Sequence, residues 1–167
     1  DDSSLIINNF ISSYRNIQFF SKKNGGPSSA RNYGANFAQG NFLVFLDGDD
    51  KLHTTYVEKC ISVYEKNQNL EIVYSDAEYF GLKTGVWKLP NFNLNTFLLD
   101  NCIPIFAMIK RESFLQVGKF DENLNYMEDW ELWIRIIQNN NNVYKTPEIL
   151  FSSRKHHEKT PVTVVIL

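Results

Sequence analysis

Phe42-Leu43-Val44-Phe45-Leu46-Asp47-Gly48-Asp49-Asp50 is the stretch on which the reading of this chain turns. Five apolar residues in a row, without the alternation of a half-exposed strand, predict a parallel strand covered on both faces. That strand runs directly into Asp47, Asp49 and Asp50. In open α/β sheets, ligands collect at the carboxyl ends of such strands. Clustered carboxylates repel one another by about 1 kcal/mol or more per close pair. A divalent cation removes that repulsion, and Mg²⁺ or Mn²⁺ held by one or two carboxylates keeps positions open for phosphate oxygens. Taken out of context, the same cluster also reads as a solvated acidic turn. A calcium loop counted from Asp47 fails, because Lys51 and Leu52 stand where a ligand and a glycine are required.

Outward from this stretch, strand-like and helix-like patterns alternate, which argues for an α/β layout. Asp2, Ser3 and Ser4 are N-cap types, and Leu5, Ile6, Phe10 and Ile11 follow at helical spacing. Ile17-Gln18-Phe19-Phe20 reads as a short buried strand. Asn24-Gly25-Gly26-Pro27-Ser28 then breaks the chain, before a helix over about 29–39 that Gly40 ends. A helix over about 55–65 and a buried strand at Glu71-Ile72-Val73-Tyr74-Ser75, ending in Asp76, come next. Short strands near Tyr79-Phe80 and Val86-Trp87, joined by Gly81 and Gly85, precede a helix through Phe97-Leu98-Leu99. Ile105 to Ile109 is strand-like, and Glu128 to Ile137 is a helix with Leu132 and Ile136 facing the core.

Three further groups carry chemistry. Glu128 and Asp129 open a helix, where acidic residues suit the positive end of the dipole; one of them pointed into a cleft would serve as a general base. The glycine-rich turn before Ser28-Ser29-Ala30-Arg31-Asn32 can present backbone N–H groups and the Arg31 fork to phosphate. Arg154-Lys155-His156-His157 offers imidazoles that read either as surface residues or as metal ligands.

Composition bounds the class. The 167 residues, 43% hydrophobic and 14% aromatic, can bury a real core and are not those of a disordered chain. A net charge of −2 leaves no global basic field for nucleic acid. No apolar run approaches the roughly 20 residues of a membrane span. Two cysteines, Cys60 and Cys102, are too few for a disulfide framework and read as free thiols.

In this order, these segments resemble the family 2 glycosyltransferases of the GT-A fold, over about residues 1–156. The landmarks are Asp1-Asp2-Ser3-Ser4, Asn24 to Gly34, Phe45 to Asp50, Val117-Gly118-Lys119-Phe120-Asp121-Glu122, and Glu128-Asp129-Trp130-Glu131-Leu132-Trp133. The resemblance implies a mixed, mostly parallel Rossmann-like sheet flanked by helices. It also implies a UDP-sugar donor, Mn²⁺ or Mg²⁺, a glycan acceptor hydroxyl and inversion at the transferred sugar. Carried over residue by residue, Asp2 contacts the base or ribose, and Arg31 sits near the uridine or phosphates. Asp49 holds the ribose and Asp50 the metal, with Asp47 supporting the turn. Asp129 is the catalytic base, Glu128 orients the acceptor, and His156 has a metal or phosphate role. The expected setting is cytoplasmic, either free or at the inner face of a membrane; composition adds the expectation of no membrane span and no nucleic-acid partner.

The family opens with a strand, a helix and a second strand before its Asp-Asp turn, whereas this chain starts at that turn. The expectation is therefore a partial GT-A domain over 1–158, truncated at its N-terminus. Thr160-Pro161-Val162-Thr163-Val164-Val165-Ile166-Leu167 is an apolar, β-branched run. Over 159–167 it reads as the start of a following domain, as a filler of the vacant first-strand slot, or as the swapped strand of a homodimer. From a different functional class, the rival reading is an inactive glycosyltransferase-like fragment or carbohydrate-binding module. A sugar nucleotidyltransferase would need a glycine-rich, basic N-terminus that is absent here.

Overall fold

The computed structural model describes residues 3–14, 16–138 and 142–156. Helices are α1 (Ser3–Ser13), α2 (Gly26–Ala35), α3 (Tyr56–Lys66), α4 (Leu94–Phe97), α5 (Arg111–Gln116) and α6 (Glu128–Ile137). Strands are β1 (Phe42–Leu43), β2 (Lys51–Leu52), β3 (Ile72–Gly81), β4 (Gly85–Trp87), β5 (Met108–Lys110) and β6 (Val143–Lys155). Asp2 and the run 159–167 lie outside the described residues.

The sheet is mixed and follows the order β1-β5-β3-β6-β2, with β4 added to β3 as a hairpin. Its balance differs from the mostly parallel sheet expected. Among the described residues β3 and β6 pair in parallel, while β1–β5, β2–β6, β3–β4 and β3–β5 are antiparallel. The reason is local: after β3 the chain turns straight back as β4, and β5 and β2 are short strands that run against their neighbours.

The β3–β6 ladder is the backbone of the fold, running from Ile72↔Val143 to Gly81↔Lys155. Its register slips at Ser75, Asp76 and Ala77, where β6 carries extra residues. Pro147, which cannot donate to a ladder, lies in that slip between Thr146 and Ile149. Within the same slip, Asp76 and Lys145 form a buried ion pair at 2.6 Å, and Asp76 Oδ1 also accepts from the Leu89 amide at 2.8 Å. At the ladder's far end Gly81 has φ +91°, and a Cβ there would lie 2.7 Å from the Lys155 carbonyl oxygen. Only glycine fits that position.

The core is aromatic and its polar tips are satisfied. Trp133 is fully buried and donates to the Ile103 carbonyl at 3.0 Å. Tyr64 donates to the Met108 carbonyl at 2.8 Å and Tyr74 to that of Pro90 at 2.6 Å. Phe45 packs edge-on to Phe120 at 5.0 Å, and Phe106 stacks on Phe151. Cys60 and Cys102 are free, as read from the sequence, and the fold buries both.

Two expectations are corrected. Ile17 to Phe20 forms no strand; it is an exposed stretch in which Phe20 stacks on Phe37 of the α2 exit, at 3.9 Å. Only Phe42 and Leu43 of the 42–46 run enter a ladder, because β1 has β5 on one side and no strand among the described residues on the other. Leu5, Ile6 and Phe10 of α1 remain exposed, so its apolar residues do not join the core described. No helix among the described residues is long and apolar enough to cross a membrane.

Candidate functional site

The chain passes from β1 through the buried Phe45 to Asp47, and the Asp50 amide closes a turn onto the Asp47 carbonyl at 3.1 Å. The end of β6 straps this turn in place. Lys51 and Leu52 pair with Ser152 and Phe151, the Arg154 amide donates to Asp50 Oδ1 at 2.8 Å, and Arg154 Nε donates to the Asp49 carbonyl at 3.1 Å. Segments about 100 residues apart in sequence thereby form one unit.

The three aspartates go three ways. Asp47 Oδ1 accepts from Arg31 Nη2 at 2.9 Å. Asp50 turns toward β6, and its pKa is raised, first by burial and then by Asp49 and Asp47, against the lowering hydrogen bonds from Arg154 and Ser153. Asp49 Oδ2 lies 2.9 Å from His156 Nε2. This last pair is a direct hydrogen bond between two side chains of types that a divalent cation accepts. Two adjacent ligands of an octahedral ion stand about 3.0 Å apart at bond lengths near 2.1 Å, and Mn²⁺ accepts both carboxylate and imidazole. The other two aspartates are committed elsewhere, and no cluster of three or more potential ligands forms among the described residues.

Arg31 departs furthest from its expected place. Its side chain is only 5% exposed, and besides Asp47 it holds Glu128 Oε1 through Nη1 at 2.8 Å. The guanidinium lies 5.7 Å from the Phe120 ring centre. It is an internal tie between the acidic turn and the start of α6 rather than a fork offered to phosphate. Glu128 is correspondingly turned toward Arg31, not toward an acceptor. Neighbouring Asn32 completes the junction: its amide exchanges hydrogen bonds with the Phe120 backbone, both at 3.0 Å, and donates to Glu122 Oε1 at 3.0 Å.

Asp129 points the other way. Met127, in the left-handed region at φ 60°, sets the entry into α6. With Asp47, Asp50, Asn101 and Ser153, Asp129 supplies the polar wall of a cavity of about 290 Å³; Trp87, Leu89, Phe106 and Phe151 supply apolar surface. Asn101 Nδ2 donates to Asp129 Oδ2 at 3.3 Å, and the Trp130 amide donates to Oδ1 at 2.7 Å. Burial pushes the Asp129 pKa up, with Glu128 adding to the rise, while the Trp130 amide and Arg31 oppose it. By analogy with the family, the segment from Phe92 to Asn101 is expected on the acceptor side, and Asn101 lines the cavity; Trp87 and Ser153 were not among the expected site residues. A lone serine has no spacing to mark it, and Trp87 looked like any core aromatic.

Replacing Arg31 by Leu leaves Asp47 and Glu128 facing each other without a counter-charge. We expect a loss of about 2–4 kcal/mol in urea unfolding, less than for a fully buried pair because both partners are partly solvated. A loss within experimental error would show that the tie carries no stability. Asp129→Asn should do the opposite. A carboxyl whose pKa is higher folded than unfolded contributes stability at low pH, which is lost as pH rises through the ordinary aspartate value toward the folded one. The variant should therefore melt higher than wild type at pH 7, with the gap closing below about pH 4. A gap that widens on acidification would contradict the burial of this group.

The family model for glycosyl transferase family 2 matches residues 1–118. A Rickettsia typhi protein described as an uncharacterized glycosyltransferase is 27% identical over 164 residues, spanning 89% of this chain and 50% of its own length. The Bacillus subtilis minor teichoic acid biosynthesis protein GgaB is 32% identical over 144 residues, 79% of this chain and 16% of that protein. The chain thus spans half or less of the length of these curated relatives. Among solved structures, Staphylococcus aureus TarS (residues 1–349) superposes with a TM-score of 0.74 at 16% identity, over 92% of this chain and 48% of that one. That superposition establishes the fold, the mixed α/β GT-A arrangement expected from the sequence. A match running from the first residue through the acidic turn to Gly118, well over half of the sequence, settles the family: this chain belongs to glycosyl transferase family 2.

Proposed function

We propose that this chain provides the catalytic face of an inverting glycosyltransferase, moving a sugar from a nucleotide diphosphate, UDP in the simplest case, to a hydroxyl of a glycan acceptor. The observation that supports this most directly is the shared cavity of Asp129, Asp47 and Asp50. A general base works best when its pKa lies nearer the operating pH, and burial moves Asp129 in that direction. Asn101 and the Trp130 amide hold the carboxylate in one orientation. From there Asp129 takes the proton of the acceptor hydroxyl as its oxygen attacks the anomeric carbon, opposite the departing diphosphate. One displacement with no enzyme nucleophile inverts the centre, through a sugar with oxocarbenium character.

Asp49 and His156 would hold the divalent cation, a narrower set than the four residues expected from the sequence. Bound there, the ion would supply charge neutralisation for the diphosphate leaving group. Arg31 and Glu128 act on this reading as positioning residues. They fix the acidic turn against α6 and keep a second carboxylate close enough to hold the Asp129 pKa up.

Asp129→Asn is expected to lower kcat by about 10²–10⁴-fold while UDP binding in a calorimetric titration stays unchanged. Parallel loss of UDP affinity would remove the base assignment. Asp49→Ala should abolish the strengthening of UDP binding by Mn²⁺. A variant that keeps the wild-type Mn²⁺ dependence would place the ion elsewhere.

A further inference from the structure

From the cavity, a track of aromatic rings leads away over one face of the sheet. Phe151 stacks on Phe106, Phe106 meets Trp87 edge-on with ring centres 6.4 Å apart, and Trp87 stacks on Tyr79 at 5.2 Å with the planes 14° apart. The first three rings line the cavity; the fourth lies outside it. Strand geometry puts these groups on a common face. Trp87 is paired with Ala77, Tyr79 is two residues further along β3, and Lys155 is two residues beyond the cavity-lining Ser153 on β6.

The track ends in two cations. Lys155 Nζ lies 4.4 Å from the Tyr79 ring centre and 5.8 Å from that of Trp87. Lys83, on the β3–β4 turn, lies 5.2 Å from the same Tyr79 ring. Neither lysine has a carboxylate partner among the described residues. The nearby acid, Glu78, alternates to the opposite face of β3, where it accepts from Ser152. Two ammonium groups without carboxylate partners among the described residues, both within 5.2 Å of the Tyr79 ring centre at the mouth of an acidic cavity, offer positive charge to an anion.

We infer that this surface is the acceptor subsite, and that it takes an acceptor carrying phosphate, such as a phosphodiester-linked polyol or sugar chain. The unit whose hydroxyl is glycosylated occupies the cavity beside Asp129, and the phosphate of the adjoining unit is held by Lys83 and Lys155. Lysine binds phosphate as a point charge, whereas arginine offers a planar fork to carboxylate and phosphate alike. Arg154, the guanidinium nearest in sequence, is turned to the Asp49 carbonyl and the Phe80 ring instead. The role as an acceptor subsite rests on the transferase reading above; the capacity to bind phosphate does not.

The test titrates the intact chain, followed by tryptophan fluorescence, with three probes of equal length: an oligomer of glycerol phosphate, an oligouronate and a neutral oligosaccharide. The phosphate oligomer should bind at least about tenfold more tightly than the neutral probe, and the advantage should vanish in about 1 M salt, where the Debye length is about 3 Å. The double variant Lys83→Gln/Lys155→Gln should bind it about fivefold or more weakly with an unchanged melting temperature. Equal binding of charged and neutral probes, or of the variant and wild type, would overturn the subsite. So would a fall in melting temperature without a fall in affinity, which would mean the lysines only cover the aromatic rings. Tighter binding of the oligouronate would overturn the phosphate assignment. UDP binding by the wild-type chain, measured in parallel, separates the two levels. Phosphate-oligomer binding without UDP binding defeats the transferase reading, and UDP binding without oligomer binding defeats this inference alone.

Discussion

Everything at the site depends on where the positive charge of Arg31 is spent. A guanidinium that is almost wholly buried needs compensating charge, and it finds it in Asp47 from one end of the sheet and Glu128 from the start of a helix nearly a hundred residues later. Without it, the acidic turn and the acidic helix start could not approach each other. With it they can, and Asp129 is left facing the cavity with a like charge beside it. The same contact explains why Arg31 is not offered to a ligand: its Nη1 and Nη2 groups are held by Glu128 and Asp47.

The second constraint is the length of β6. This strand pairs with β3 over its whole course and still reaches beyond the acidic turn, delivering Ser153, the Arg154 amide and His156 to Asp50 and Asp49. The turn is thus held from both sides, by Arg31 on the helix face and by β6 on the sheet face. Such double support suits a site that must keep several carboxylates at fixed separations against their mutual repulsion. The bulge around Asp76 and Pro147 is part of the same device, because it sets the register in which the last residues of β6 arrive.

Much of this was legible beforehand. The 128–137 helix was read with its observed bounds, because its apolar residues recur at helical spacing behind an acidic first turn. The aspartate cluster stood out because charge following an uninterrupted apolar run is unusual. Other elements were opaque for physical reasons. β6 mixes a proline, exposed polar residues and charge, so no period of two survives in it. Ile17 to Phe20 looked like a strand because local hydrophobicity cannot say whether a partner edge is within reach. The mostly parallel sheet was implied by the family resemblance, and the 42–46 run read as a parallel strand from its continuous apolar residues, yet short antiparallel strands buried on both faces show the same runs.

The sequence by itself determined the family, the α/β class and the identity of the acidic residues, because these follow from local order: an apolar strand, a turn rich in aspartate, a helix opened by Glu128 and Asp129. Only the tertiary structure decided what each charge does. Arg31 became a tie, Glu128 its partner, Asp129 a carboxylate lining the cavity together with Asp47 and Asp50, and Asp49 the neighbour of His156. It also showed that the two lysines at the end of the aromatic track stand without carboxylate partners among the described residues. Electrostatic roles depend on distances of a few ångströms between groups far apart in the chain, and spacing along a sequence carries no measure of those distances.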